Sequence, residues 1–464
     1  MGIRRRKNST TEAKPSQPTG WQVTQKLYGK LRGFSAHCSS KPDTTGLAIV
    51  ETAGGVLSPG PSGTPQADIY RPMRLPTILV GDHRLGGIGS TISAAESLLM
   101  RGYDIDAIIC FDDKSKYKNS EYLLEYFEKM NVSAFEVPWI PDLEGYEGEK
   151  ELEKMSEYYT KESTSGVLKK IGGHLVDKHV SRLSSIASMS ERTSKAIWHP
   201  FTQHKSIEKP DDILTFDSAY GDFFKVKQGS KAEGSSGVPV LYEAFDGSAS
   251  WWTQGLGHGN PKLALAAAYA AGRYGHVMFA GATNEPAITL AETLLQGMEN
   301  PRLKKCFYTD DGSTAAEVGI KMAVRAACSR YGWDGKADTI EILGLQGSYH
   351  GDTIGAMDAS EPSVYNKKVD WHRPRGFWFN YPTVKMRKGK WIVEAPEELR
   401  DKFGPEMSFN HLDDVFDFDA RGSSPQYEEF IKATLDKLTH EEKRKFGALV
   451  MEPIILGAGG MMIV

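Results

Sequence analysis

Residues 305–331 read KCFYTDDGSTAAEVGIKMAVRAACSRY. The opening apolar run, Lys305 to Thr309, predicts a strand, and the pattern from Ala315 to Tyr331 predicts a helix. Between them Asp310-Asp311-Gly312-Ser313-Thr314 makes the first helical turn, where free backbone N–H groups, hydroxyls and the helix dipole suit a bound anion. An ordinary Asp/Ser helix cap is the competing reading. The following strand, Thr339 to Leu345, runs into Gln346-Gly347-Ser348-Tyr349-His350-Gly351-Asp352-Thr353. That stretch brings an aromatic ring and an imidazole to the sheet edge, with glycines on both sides allowing close approach to a flat ring. A purely structural Tyr-His pair is the alternative.

Working outward, the same alternation continues. Short strands are expected near Ile213 to Phe216 and Leu241 to Phe245. Asn260-Pro261 and Asn284-Glu285-Pro286 pair an N-cap with an early proline, predicting helices to about Arg273 and through Met298. Further upstream the apolar runs Leu47–Val50, Thr77–Val80, Ala107–Phe111 and Ala134–Val137 alternate with helical patterns at Ser90–Arg101 and Ser120–Met130. Successive βαβ units, and so a parallel sheet covered by helices, follow. A helix over Val167–Met189 closes this region, and the serines and charges of Ser184–Lys195 mark a boundary. The expected division is a disordered tail at 1–20, a first domain at 21–190 and a second at 191–464.

The chain has 464 residues, 40% hydrophobic and 25% charged, enough for two or three cores. Its net charge of -4 and the lack of a long basic face argue against a nucleic-acid partner. Cys38, Cys110, Cys306 and Cys328 are scattered, so neither a zinc knuckle nor a disulfide framework is indicated. The start, Met1 to Lys14, is basic and rich in hydroxyls like a transit peptide, but Ile3 is its only sizeable apolar residue. Phe446 to Val464 approaches the length of a membrane span, yet Glu452, Pro453 and four glycines interrupt it. A buried strand and glycine turn are expected there, and no membrane partner.

In the first region Leu47–Val50 is expected to deliver Glu51-Thr52-Ala53-Gly54-Gly55 to a strand end, where a carboxylate beside glycines suits Mg²⁺ and a nucleotide phosphate. A tight turn after a core strand is the bland alternative. A second glycine loop, Gly81 to Gly89, opens a helix in the same manner. With Leu75-Pro76-Thr77-Ile78-Leu79-Val80 and Arg84-Leu85-Gly86-Gly87-Ile88, these residues resemble the dethiobiotin synthetases, P-loop enzymes that carboxylate diaminopelargonate using CO₂ and ATP. Ser58 to Gly63 resembles their eukaryotic fusion form. The resemblance implies nucleotide contact at Glu51, Thr52, Ala53 and Gly54, with Glu51 on Mg²⁺. It also implies that Gly89, Ser90 and Thr91 take the diamino acid's carboxylate across a dimer interface, and that Trp139 lies near the base. None of the Gly-Lys pairs at 29, 335 and 389 is followed by Ser or Thr, so no Walker A loop is present. The expectation is that this half alone does not turn over ATP.

Trp251-Trp252, Gly255 to Pro261 and Glu452 to Met461 join the two glycine-flanked strand ends described first. Together they resemble the class III aminotransferases of PLP-dependent transferase fold type I. Ile197-Trp198-His199-Pro200-Phe201-Thr202-Gln203-His204 and the double tryptophan narrow the likeness to diaminopelargonate aminotransferase. The resemblance implies pyridoxal 5'-phosphate (PLP), held at its phosphate by Gly312 and Ser313. It further implies a ring stacked near Tyr349, with His350 and Glu452 in the surrounding polar shell. By the same likeness Trp251, Trp252 and Phe201 line the substrate channel. His199 and His204 have no Cys or HExxH partner and are read as structural rather than zinc ligands. No third glycine follows Gly257 to Asn260 at dinucleotide spacing, so that reading is set aside.

The whole resembles a fusion of the two enzymes truncated at both ends, an α/β chain with a partial P-loop domain and a partial fold-type-I domain. The family's cofactor-bearing Schiff-base lysine lies beyond Glu452-Pro453, whereas the last lysine here is Lys445. No catalytic residue is therefore assigned, and the chain as written is expected not to transaminate. The implied reactions convert 7-keto-8-aminopelargonate to diaminopelargonate, with S-adenosylmethionine as donor, and then close dethiobiotin with CO₂. A homodimer in mitochondria, or otherwise in the cytoplasm, is expected. Another class III ω-aminotransferase and a non-catalytic remnant are the rival readings.

Overall fold

The computed structural model describes residues 19–40, 46–112, 117–164, 166–200, 202–227, 241–422, 424–457 and 460–464. The tail expected at 1–20 falls outside these residues up to residue 18. Phe201 does too, as do Ala458 and Gly459 of the Glu452–Met461 stretch and the side chain of Trp252. Thr19 is the N-cap of a 20-residue helix, Gly20–Ser39. Two compact units divide the chain, Met1–Val277 and Met278–Val464.

In the first unit strands β1 (Thr77–Val80), β2 (Ile105–Asp112) and β3 (Ala134–Pro138) form a parallel sheet in that order. The central strand carries Ala107 and Ile108, both 0% exposed, because helices take up both faces of such a sheet. Leu98 of helix Gly87–Leu99 and Leu123 and Phe127 of helix Asn119–Lys129 close the core around Leu79, Ile108 and Cys110. A separate antiparallel sheet follows, from β4 (Phe216–Tyr220), β5 (Phe223–Lys227) and β6 (Leu241–Phe245).

The second unit contains β7 (Ile340–Leu345), β8 (Gly376–Phe379), β9 (Thr383–Arg387), β10 (Lys390–Glu394), β11 (Met407–Phe409), β12 (Lys445–Leu449), β13 (Ile455–Leu456) and β14 (Met461–Ile463). Strands β12, β7 and β8 make a parallel sheet with β7 in the middle, and the rest form an antiparallel sheet ordered β11-β10-β9-β14-β13. Helix Gly312–Tyr331 lies on β12. The fit is close: a Cβ on Gly447 would stand 3.3 Å from Val324 of the helix and 2.7 Å from Ile340 of β7.

Several expectations need correction. Leu47–Val50 is no strand: β1 pairs with β2, Leu47–Val50 finds no strand partner, and Leu47 and Ile49 are exposed. Lys305–Thr309 is likewise unpaired; it lies along helix Glu285–Gly297, with the Tyr308 hydroxyl donating to the Ala287 carbonyl at 2.6 Å. The strand expected at Ile213–Phe216 forms later, at Phe216–Tyr220. The helix expected over Val167–Met189 runs on to Ala196 and takes in Ser184–Lys195. The strand in Phe446–Val464 exists as β12, only half-buried, with Leu449 and Met451 exposed. Among the described residues no helix is long and apolar enough to cross a membrane.

Candidate active site

At the start of helix Gly312–Tyr331, Asp311 is the N-cap and its carboxylate accepts the Thr314 N–H at 2.8 Å. The N–H groups of Gly312 and Ser313 point ahead of the first turn, where an α-helix has no internal acceptors to offer. Space above Gly312 is open to at least 4 Å. The loop after β7 closes on this turn. The Asp352 N–H donates to Ser313 Oγ at 3.0 Å, and Gly351, at φ +133°, approaches so closely that a Cβ would lie 2.7 Å from the Ser313 backbone. Glycine is required there on both counts.

Tyr349, 41% exposed, donates its hydroxyl to Asp352 Oδ2 at 2.6 Å. Burial and then the Asp352 carboxylate push the phenol up to about 12. Behind the loop Glu452 bridges two distant backbones: its Oε1 accepts from the Tyr349 N–H at 2.9 Å and its Oε2 from the Gly457 N–H at 2.5 Å. Burial lowers His350 and so favours the neutral imidazole, against the opposing pull of Glu452; its Nε2 is buried without a partner. Gly312, Ser313, Tyr349, His350 and Glu452 therefore meet, although 140 residues separate the first from the last.

Three further anchors are absent from the sequence-based set. Asp352 stood unremarked in the quoted stretch, though its three-residue spacing from Tyr349 was the available clue. Glu361 accepts the Gly347 N–H at 2.6 Å, and Glu317 the Gly355 N–H at 3.2 Å. Glu317 lies three residues after Thr314 and Glu361 eight after Thr353, but neither spacing marks a contact to a distant backbone N–H.

In the first unit the glycine loop is built from local bonds. Thr91, 3% exposed, gives its hydroxyl to the Gly87 carbonyl at 2.7 Å and accepts the Asp82 N–H at 3.0 Å. The structure thus puts Thr91 inside, while Gly89 and Ser90 are exposed. Asn119, also missed from sequence, holds the loop through the Asp82 and Arg84 carbonyls at 2.9 and 2.8 Å. Glu51, Thr52, Ala53 and Gly54 form an exposed turn, with the Gly54 N–H on the Thr52 carbonyl at 2.9 Å. Trp139 stands T-shaped against His83 and Phe111 and lines a cavity of about 570 Å³ with Asp112, Pro138, Ile140, Pro141, Asp142 and Leu143. Among the described residues no cluster of three or more His, Cys, Asp or Glu side chains could hold a metal.

Trp251 stands on an unusual turn of that unit. Ala249, Ser250 and Trp251 have φ of 46°, 47° and 57°, each of which costs roughly 1–2 kcal/mol outside glycine. Asp246, 8% exposed, holds the turn by accepting Ser248 Oγ at 3.0 Å and Ser250 Oγ at 2.9 Å, with His258 Nε2 at 2.8 Å. Burial raises this carboxyl, but the bonds from His258, Ser250 and Ser248 outweigh it and hold it well below the usual carboxylate range.

An open helix start, a glycine-flanked aromatic loop after β7 and a returning glutamate are the arrangement of a fold-type-I site. Residues 242–464 match the family model Aminotransferase class-III, and residues 22–147 match AAA domain. The chain is an α/β protein in which an AAA, P-loop-like segment precedes a class III aminotransferase segment.

More particularly, the chain is a homologue of the bifunctional dethiobiotin synthetase/aminotransferases. It is 52% identical over 427 residues to the bifunctional dethiobiotin synthetase/adenosylmethionine-8-amino-7-oxononanoate aminotransferase of Emericella nidulans, covering 90% of this chain and 54% of that one. To the mitochondrial bifunctional dethiobiotin synthetase/7,8-diamino-pelargonic acid aminotransferase of Arabidopsis thaliana it is 37% identical, covering 95% of this chain and 52% of that one. A crystal structure of adenosylmethionine-8-amino-7-oxononanoate aminotransferase from Methanocaldococcus jannaschii shares 26% identity over 41% of this chain and 39% of its own, at TM-score 0.33. The chain spans about half the length of the curated relatives it matches.

Proposed function

We propose that the chain is part of a biotin-biosynthetic enzyme. Its second part takes part in the transamination of 7-keto-8-aminopelargonate, and its first in the ATP- and Mg²⁺-dependent carboxylation of the diamine to dethiobiotin. The observation that carries the reading is the closure of the Tyr349–Asp352 loop onto Ser313. It joins an anion-binding helix start to an exposed aromatic ring, which is what a phosphorylated heteroaromatic cofactor needs at its two ends.

PLP fits these residues. Gly312 and Ser313 would hold its phosphate, and Tyr349 would lie near its ring with His350 and Glu452 around it. When bound, the cofactor supplies an electron sink for charge developing at the amine-bearing carbon. The protein groups bind and orient. Glu452 fixes the loop that carries Tyr349, and neutral His350 adds no positive charge beside the ring. Trp251, Trp252 and Phe201 are assigned to the substrate channel, where aromatic surface would desolvate a long aliphatic amino acid.

In the first part, Glu51 to Gly54 are assigned to the nucleotide, the Trp139 cavity to its base, and Gly89, Ser90 and Thr91 to the substrate carboxylate, Thr91 acting through the loop it holds. Mg²⁺ would be held by Glu51 together with nucleotide oxygens, since magnesium commonly uses one or two carboxylates plus substrate phosphates. The change from one part to the other is placed near residue 190, within the stretch between the two family matches. A homodimer in mitochondria completes the proposal, the location supported by the names of the plant relatives.

Growth of a biotin auxotroph on the complete gene tests the function, and PLP titration of the chain, followed by cofactor fluorescence, tests the site. Growth abolished by Ser313→Asp together with lost PLP binding is the expected result. Wild-type growth of that variant would remove the site from the function.

A further inference from the structure

Arg71 belongs to the AAA segment, in the single-turn helix Arg71–Met73, yet it reaches into the aminotransferase segment within the same compact unit. Its guanidinium Nη1 donates to the Gly259 carbonyl, 188 residues away in sequence, and lies over the Tyr220 ring at 5.3 Å. The fit is close: a Cβ on Gly259 would stand 2.6 Å from Arg71 Nη2. Gly259 adjoins His258, whose backbone pairs with Gly221 in both directions at 2.7 and 3.0 Å and whose ring meets Asp246. Asp246 in turn holds Ser248 and Ser250 beneath the left-handed turn that ends at Trp251.

The support of Arg71 is itself firm. Met73 is buried, and neighbouring Arg74 bonds Asp104 at 2.8 Å and Asp217 at 3.2 Å. Asp217 also takes Arg182 of helix Val167–Ala196 at 3.0 Å, so two arginines distant in sequence neutralise one buried carboxylate. A loop fastened by His258 and Asp246 on one side is therefore fastened by Arg71 on the other.

We propose that Arg71 is a positioning residue for the transaminase substrate. By holding the Gly259 carbonyl it fixes His258 on Asp246, and through that carboxylate the Ala249–Trp251 turn. The synthetase-like segment thereby sets the wall of the neighbouring segment's substrate channel. This rests on the proposed assignment of Trp251 to that channel.

Hydrogen exchange by mass spectrometry on the full chain tests the coupling independently of activity. Arg71→Ala is expected to speed exchange of the amides in 246–260 about tenfold, Arg71→Lys to give an intermediate rate, and the helix at 87–99 to keep its wild-type rate. Unchanged exchange at 246–260 in Arg71→Ala, or equal acceleration at 87–99, overturns the proposal. Kinetics of protein from the complete gene separate it from the functional reading. With the coupling intact, Arg71→Ala raises KM for the amino-ketone several-fold and leaves kcat within twofold. A 246–260 segment loosened in Arg71→Ala, beside a wild type that performs no transamination, keeps the coupling and removes the function. A loosened segment with unmoved KM overturns the positioning role.

Discussion

Two helix starts with the same sequence signature, glycine and hydroxyls after an apolar run, are held in different ways. At Gly87–Leu99 every tether of the loop is near in sequence except Asn119: Thr91 reaches Gly87 and Asp82, and Arg84 pairs with Asp82 at 3.0 Å. At Gly312–Tyr331 the Asp352 tether on Ser313 spans 39 residues, much as Asn119 does, but the loop that supplies it is itself tied by Glu452 on Tyr349, 103 residues away. A locally tied loop is shaped by its own segment. A loop tied over long distances takes shape only when its whole unit has folded, so its geometry reports on tertiary structure.

The sharpest way to break this comparison is to add one methyl group to each start. In Gly351→Ala the new Cβ meets the Ser313 backbone at 2.7 Å, and in Gly87→Ala it meets the Asp82 carbonyl oxygen at 2.0 Å. Each is expected to cost about 3 kcal/mol or more from overpacking, to which the left-handed φ of Gly351 adds backbone strain in Gly351→Ala. Urea unfolding should show Gly351→Ala weakening the second unit and PLP binding together, with Gly87→Ala sparing both. Loss of PLP binding in Gly87→Ala would mean that the starts are not independent.

Glu452→Ala removes the acceptor for two N–H groups and is expected to cost about 2 kcal/mol, with Glu452→Gln intermediate because one oxygen remains. Asn119→Ala at the local loop loses two neutral bonds and should cost about 1–2 kcal/mol. If the comparison holds, Glu452→Ala frees Tyr349 as well, whereas Asn119→Ala leaves the second unit unaltered. Fluorescence and exchange at 347–353 read that difference.

What the sequence disclosed follows the same division. Strands β1, β2, β3 and β7 and the helices between them were legible because burial imposes their period. Leu47–Val50 and Lys305–Thr309 were misread because an apolar run reports hydrophobicity, whereas a strand also requires a partner, and partners are set by tertiary structure. Ser184–Lys195 marks a boundary by its serines and charges, and these also suit the exposed face of the long helix in which it lies. In the site, Ser313, Tyr349 and Glu452 were legible by resemblance, while Glu361 and Glu317 bind backbone N–H groups and leave no motif.

The proton on Tyr349 offers a subtler probe. Its phenol is held protonated to about 12 in the folded chain against 10.0 ordinarily, by burial first and Asp352 second. A group with a raised folded value contributes stability that is fully present below the unfolded value and lost as pH climbs through the folded one. Stability should therefore fall between pH 10 and 12 more steeply than in Tyr349→Phe. Asp352→Asn should bring the titration part of the way back toward 10, measured as a difference spectrum against Tyr349→Phe. A Tyr349 that titrates at its ordinary value in the wild type would show that Asp352 does not reach it.

The smallest effect is also the most discriminating, because its sign is opposite to that of a change two residues away. Gly89 has nothing within 4 Å of a built Cβ and lies in the first turn of its helix at ordinary helical φ. Gly89→Ala should thus stabilise the first unit slightly, by up to about 0.5–1 kcal/mol, as alanine outranks glycine in helices. Gly87→Ala in the same turn should do the reverse, so a shared sign would mean that the turn is shaped otherwise than described. The methyl group at 89 also covers backbone that is proposed to meet a carboxylate. A more stable variant with weaker diamine binding would support that assignment, and one with unaltered binding would count against it.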